Sequence, residues 1–249
     1  ETTVDLDGTF TINGNSIITN GSSVTVDSGE LLQLNNDGEI NGTLTANGTI
    51  GFGGQAAQTA DGDNVQDLIG TGTFSFSSVE VFNDGTNVEI NPNTSDPVDV
   101  DDLFVASNTR LGVAGNLNVG ANFTANGEFT FVGQDDGKLT LDGGSGQIIT
   151  LGNPLDVRVV ELNNSSGQQS VSLASGSELQ IVEQLVLENG TFDVTSGTLK
   201  LLSDPTVHAI LVYGSGSITG DVTAQRQLSA GTDWYFLTNP EGTSYNQFL

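Results

Sequence analysis

Along most of this chain, apolar and polar residues alternate for four or five positions, and the alternation restarts after a glycine. Gly72-Thr73-Phe74-Ser75-Phe76 shows the phrase plainly. Gly8-Thr9-Phe10-Thr11-Ile12, Gly115-Asn116-Leu117-Asn118-Val119 and Gly127-Glu128-Phe129-Thr130-Phe131 repeat it, as do Gly137-Lys138-Leu139-Thr140-Leu141, Gly190-Thr191-Phe192-Asp193-Val194 and Gly197-Thr198-Leu199-Lys200-Leu201. A period of two puts the apolar residues on one side of an extended segment, so each copy predicts a turn and a short strand. No window combines helical spacing of apolar residues with helix caps, and the fold class is all-β. A strand this short cannot bury its own face. Repetition resolves this by stacking unit on unit, which defines a parallel β-helix (β-solenoid). Parallel crossovers favour the right hand, so a right-handed coil is expected. Twenty residues per coil would give roughly ten coils and a body about 50 Å long at the interstrand spacing.

The solenoid is expected over 1–215. Asn13-Gly14, Asn20-Gly21, Asn41-Gly42, Asn47-Gly48, Asp7-Gly8 and Asp37-Gly38 mark its corners, because both dipeptides tolerate positive φ. Two stretches break the phrasing. Residues 53–70 read as an excursion around Asp61-Gly62-Asp63-Asn64, and 91–102 as a rim or loop, because Pro92 and Pro97 remove ladder donors. Leu111, Val113, Leu117, Val119, Phe123, Phe129 and Phe131 are expected to face inward, with Leu179, Ile181, Leu185 and Leu187 continuing the same core. Residues 216–249 read differently: a strand with a rare cation at Arg226, then Trp234, Tyr235 and Phe236, suits a cap or the start of a further β module.

Charge narrows the partners. Five Lys plus Arg face 31 Asp plus Glu, a formal net charge of −26. Such a surface repels nucleic-acid phosphates and anionic lipid, and no apolar run is long enough to span a bilayer. With no cysteine there is no disulfide framework. These features suit an exported bacterial protein, and Glu1-Thr2-Thr3-Val4 reads as a terminus left after removal of a signal peptide. The C-terminal end falls within a strand-rich stretch, as expected of part of a longer polypeptide.

Candidate chemistry is sparse. Asp61, Asp63, Asp96, Asp99, Asp101 and Asp102 offer hard oxygen ligands in acidic turns, the preference of calcium, without matching an EF-hand loop or a glycine-rich nonapeptide repeat. The single histidine, His208, sits in an apolar setting with no second His or any Cys to complete a triad or zinc site, and reads as a packed or edge residue. Acidic pairs are too numerous for any one to mark a glycosidase, and a lyase acting on acidic sugars would need cations that this chain hardly has.

One phrase points to a family. Gly216-Ser217-Ile218-Thr219-Gly220-Asp221-Val222-Thr223-Ala224-Gln225-Arg226, followed by Trp234-Tyr235-Phe236-Leu237-Thr238-Asn239-Pro240, resembles a segment of large exported Bacteroidota proteins. In those proteins a glycine-rich β-helical stretch ends in a strand, an Arg and an aromatic run closing near a proline. Tyr235 departs from the pattern, standing where a basic residue follows the Trp. The resemblance implies a cell-surface or secreted adhesin-type molecule exported by the type IX system. The function expected is structural and non-catalytic: an extracellular stalk, adhesin or filament subunit, with Arg226, Trp234, Tyr235 and Phe236 at the cap or assembly end. Its partners would be copies of itself or cell-surface glycans and matrix. The alternative is a β-helix carbohydrate-active enzyme, a polysaccharide lyase or glycoside hydrolase.

Overall fold

A computed structural model describes residues 2–6, 8–53, 65–83, 85–92, 96–133, 137–165, 170–203 and 207–225. They form twenty-five strands and no helix. The named strands pair in parallel ladders, and an isolated antiparallel bridge joins Ser203 to His208. The chain winds as a β-solenoid of about 9 turns. Each turn passes through three parallel ladders, as three strands or as fewer, longer ones that run through a corner, so the body has three faces.

The first face runs from Thr2–Leu6 and Ser22–Val26 to Ile210–Tyr213, and the second from Thr9–Ile12 to Ser217–Thr219. The third begins at Ser16–Ile18 and passes through Gly38–Ile40, Gln66–Gly70, Asn87–Pro92, Arg110–Ala114 and Glu128–Val132. Each inward position stacks on its counterpart one turn away. On the first face one such column passes through Leu6, Val26, Ala46, Phe76, Val100, Val119, Leu141, Leu162, Leu187 and Tyr213, each in register with the next. Nine such steps at about 4.8 Å make a rod roughly 43 Å long. Along this column the repeat varies from 19 residues, Val100 to Val119, to 30, Ala46 to Phe76. The expected twenty-residue coil therefore holds for only part of the body, since corners of unequal length separate strands of nearly constant register.

The alternation explains the core. Every expected inward residue from Leu111 to Phe129 is buried, Phe131 packs partly buried against the core, and Leu179, Ile181, Leu185 and Leu187 are buried. Phe123 meets Phe129 edge to face, with ring centroids 4.9 Å apart. Burying one such side chain stabilises the fold by about 1.5–3 kcal/mol. Phe10 follows the same pattern yet is half exposed, because it lies in the first turn with a neighbour on one side only.

Several segments differ from expectation. Within the expected rim of 91–102, residues 98–102 are ladder: Val98–Val105 is a strand shared by the first two faces. Val98, Val100, Leu103 and Val105 point inward, and this apolar alternation outweighs the flanking prolines. Pro92 closes Asn87–Pro92, and Gln66–Gly70 is a third-face strand inside the expected excursion. The solenoid also continues past 215, since Ser217–Thr219 and Val222–Ala224 pair with the turn before them. Arg226, Trp234, Tyr235 and Phe236 lie outside the described residues. The glycine of two Asn-Gly corners has another role than the one expected. Gly42 and Gly48 have no positive φ; a Cβ on Gly48 would sit 2.3 Å from the Asp27 carbonyl oxygen, so the close stacking of corners excludes a side chain.

Candidate functional site

The corner between the first two faces changes along the rod. In Thr43–Phe52, Thr73–Val81 and Val98–Val105 a single strand runs through it. On one side the corner is a separate turn between Ser22–Val26 and Leu31–Leu34, and on the other it widens to residues 142–146, between Lys138–Leu141 and Gln147–Leu151. Where corner residues are few the surface is low. A trough of about 390 Å³ results, crossing the turns from Thr43 to Asp142. Its floor is the outward column Thr45, Ser75, Asp99 and Asn118, successive partners in the ladder. Asn47, Ser77, Asp101, Gly120 and Asp142 supply the corner edge.

The trough is oxygen-rich. Asn118 donates its amide to Asp99 at 2.7 Å, which fixes that carboxylate on the floor. Asp101 lies over Gly120, where a Cβ would come within 2.5 Å of its carboxylate oxygen, so the missing side chain makes room for the acid. Partial burial raises the Asp142 carboxyl above its ordinary value; a backbone hydrogen bond opposes this, and the charges of Asp99, Asp101 and Glu161 add to the rise. The four cations among the described residues are engaged elsewhere: Arg110 with Glu89 and Glu128, Lys138 with Glu161, Arg158 with Glu183, and Lys200 with Glu178. None of them lines the trough. A second hollow, of about 550 Å³, lies beside Arg110 at the corner between the second and third faces, where Asn87, Glu89 and Glu128 already hold the guanidinium.

Of the expected calcium ligands, the structure brings Asp99 and Asp101 to one trough and carries Asp102 to another face. Asp61 and Asp63 lie outside the described residues. Asp96 precedes its strand, Asp99 faces out from the first face, and Asp101 occupies the corner. Asp102 turns to the second face, where Asn122 donates its backbone N–H and its side-chain amide to it. Strand alternation sends neighbouring acids to different sides. Among the described residues no group of three or more His, Cys, Asp or Glu is arranged to hold a metal ion. His208 is an exposed edge residue, its Nδ1 2.6 Å from the Ser203 hydroxyl.

Thr45, Ser75, Asn118, Gly120 and Asp142 carried no signal in sequence, because they come from turns some twenty or more residues apart. Only the register brings them together. Comparison with family models, with curated proteins and with solved structures found no match to this chain.

Proposed function

We propose that this chain is the rod of an extracellular structural or adhesive protein: a surface stalk, an adhesin or a self-assembling filament subunit, without catalysis of its own. The observation that carries the reading is the buried inward column from Leu6 to Leu187, closed at the last turn by the half-exposed Tyr213, which gives a stiff body that presents its outer faces along the rod. A parallel ladder stacked in this way suits projection and display. The net charge of −26 suits a salty exterior medium, where screening weakens self-repulsion. Export of the kind used by Bacteroidota surface proteins belongs to the same reading. Its partners are copies of this chain, by coil-end stacking or strand addition, or glycans of a surface or matrix.

Electron microscopy at physiological calcium, with and without a chelator, tests the reading. Fibres that repeat at about one rod length support the filament form, and uniform short rods that attach to cells or matrix support the stalk or adhesin. Rods that attach to nothing and form no fibres overturn it.

The enzymatic reading draws on one feature, a raised carboxyl at Asp142 beside Asp99 and Asp101, the kind of pairing that separates acid from base in glycosidases. Against a lyase stands the lack of any described cation in the trough to receive a sugar carboxylate. Release of reducing ends from a polysaccharide panel, lost in Asp142→Asn, would favour the enzyme over the rod.

A further inference from the structure

We propose that the trough between Thr43 and Asp142 binds a neutral polysaccharide, lying along the rod axis and read through its hydroxyl groups. The proposal rests on the display function above and gives it a ligand class.

The shape suggests an extended chain. From the turn of Thr45 to that of Asp142 is four turns, about 19 Å at the interstrand spacing. The depression is shallow and follows the stack, so its occupant is a strand-like polymer and not a compact molecule.

The chemistry selects the polymer. Hydroxyls come from Thr45 and Ser75, an amide from Asn118, and carboxylates from Asp99, Asp101 and Asp142. Carboxylates only accept hydrogen bonds, and hydroxyls and amides do both. The matching ligand therefore carries many groups that donate and accept at once, as sugar hydroxyls do. An anionic sugar is excluded by three carboxylates without a described cation beside them. A peptide is disfavoured because the floor strands pair on both sides, which leaves no sheet edge for strand addition. The aromatic ring at the trough, Phe76, is buried, so sugar stacking contributes nothing and each site binds weakly. Weak sites on a displayed or polymerised rod gain avidity through multiplicity.

The test uses the whole chain, with neutral linear oligosaccharides of four to six residues as probes: glucans, galactans and mannans, read by isothermal titration or by a surface-immobilised array. Three variants accompany it. Asp101→Asn removes a carboxylate from the edge, Ser75→Trp fills the floor from an exposed position, and Asp156→Asn removes the same charge from the third face, away from the trough. Circular dichroism confirms that each is folded. The expected result is binding of at least one neutral class, weakened about tenfold or more by Asp101→Asn, abolished by Ser75→Trp and unchanged in Asp156→Asn. Three results would overturn the inference: no neutral oligosaccharide bound by the folded parent, binding indifferent to Ser75→Trp, or binding confined to cationic polymers or free calcium. None of these touches the rod reading, which depends on the microscopy.

Discussion

Two stretches of the rod share one interior and have opposite exteriors. Across the trough, the turns of Thr43–Phe52, Thr73–Val81 and Val98–Val105 face outward with hydroxyls and acids, and no described cation lines them. From Lys138 to Lys200 the outward positions carry cations tied to glutamates on adjacent turns: Lys138 to Glu161, Arg158 to Glu183, and Lys200 to Glu178. Beneath both, the column of buried aliphatic and aromatic residues continues from turn to turn, across the register shifts beside Leu162. The inward half of the alternation makes the solenoid, and the outward half is free to differ. One stretch spends its exterior on cross-turn ties, and the other leaves a donor-seeking, acidic surface open to solvent.

The comparison is tested most severely in the core. Phe76→Ala under the trough and Leu162→Ala under the ion-paired belt should each cost about 2–5 kcal/mol in urea or thermal unfolding, since both side chains are buried in the same column. A much smaller loss at Phe76 would show that the trough is loosely packed and that the two stretches differ inside as well as out.

Next in size is Gly48→Ala, beside the trough. The added methyl would press on the Asp27 and Glu30 carbonyl oxygens at 2.3 and 2.5 Å, and backbone cannot turn aside as a side chain can. A loss of about 1–3 kcal/mol is expected. Gly120→Ala meets the mobile Asp101 carboxylate instead and should cost clearly less on the same unfolding assay.

The exteriors separate at smaller energies. Lys138→Met breaks the 2.6 Å pair with Glu161, half-buried on both sides, and should lower stability by about 0.2–1 kcal/mol, with the difference shrinking as salt is added. Asp99→Asn in the trough should not destabilise in the same way, because it relieves repulsion among acids. Parallel melts at low and high salt compare the two.

The smallest effects have opposite signs with pH. The Asp142 carboxyl is raised, so its contribution to stability is complete below the ordinary carboxylate value and is lost as pH rises through the raised one. Asp142→Asn should melt slightly higher than the parent above that window and equal to it below. Asp193, in the other stretch, is lowered by the Thr195 hydroxyl and then by its backbone N–H. Its contribution is present above the ordinary value and is lost as pH falls through the lowered one, so Asp193→Asn should be the less stable protein near neutrality. Melting temperatures from pH 2 to 7 read both.

Much of the architecture was legible because the inward positions obey a local rule. Gly-x-apolar phrases such as Gly115 to Val119 and Gly197 to Leu201 place their apolar residues in the core wherever a turn lies above and below. The stretch 91–102 misled because Pro92, Pro97 and four aspartates outweighed the quieter alternation of Val98, Val100, Leu103 and Val105. Buried amides also escaped. Gln147 donates to the Val119 and Ala121 carbonyl oxygens at 2.7 and 2.9 Å, stapling one corner to the next, and a polar residue gives no inward signal in a period-two pattern.

Sequence by itself therefore determined the strands, their inward faces and the need to stack, since a short strand buries its alternate residues only against neighbouring strands. Only the tertiary structure decided how many residues each corner holds and which turns lie side by side. Those two choices made the trough, by aligning Thr45, Ser75, Asp99, Asn118 and Asp142 from five turns of the chain. The physical reason is that outward side chains meet across the ladder, where neighbours are set by register and not by adjacency in the chain.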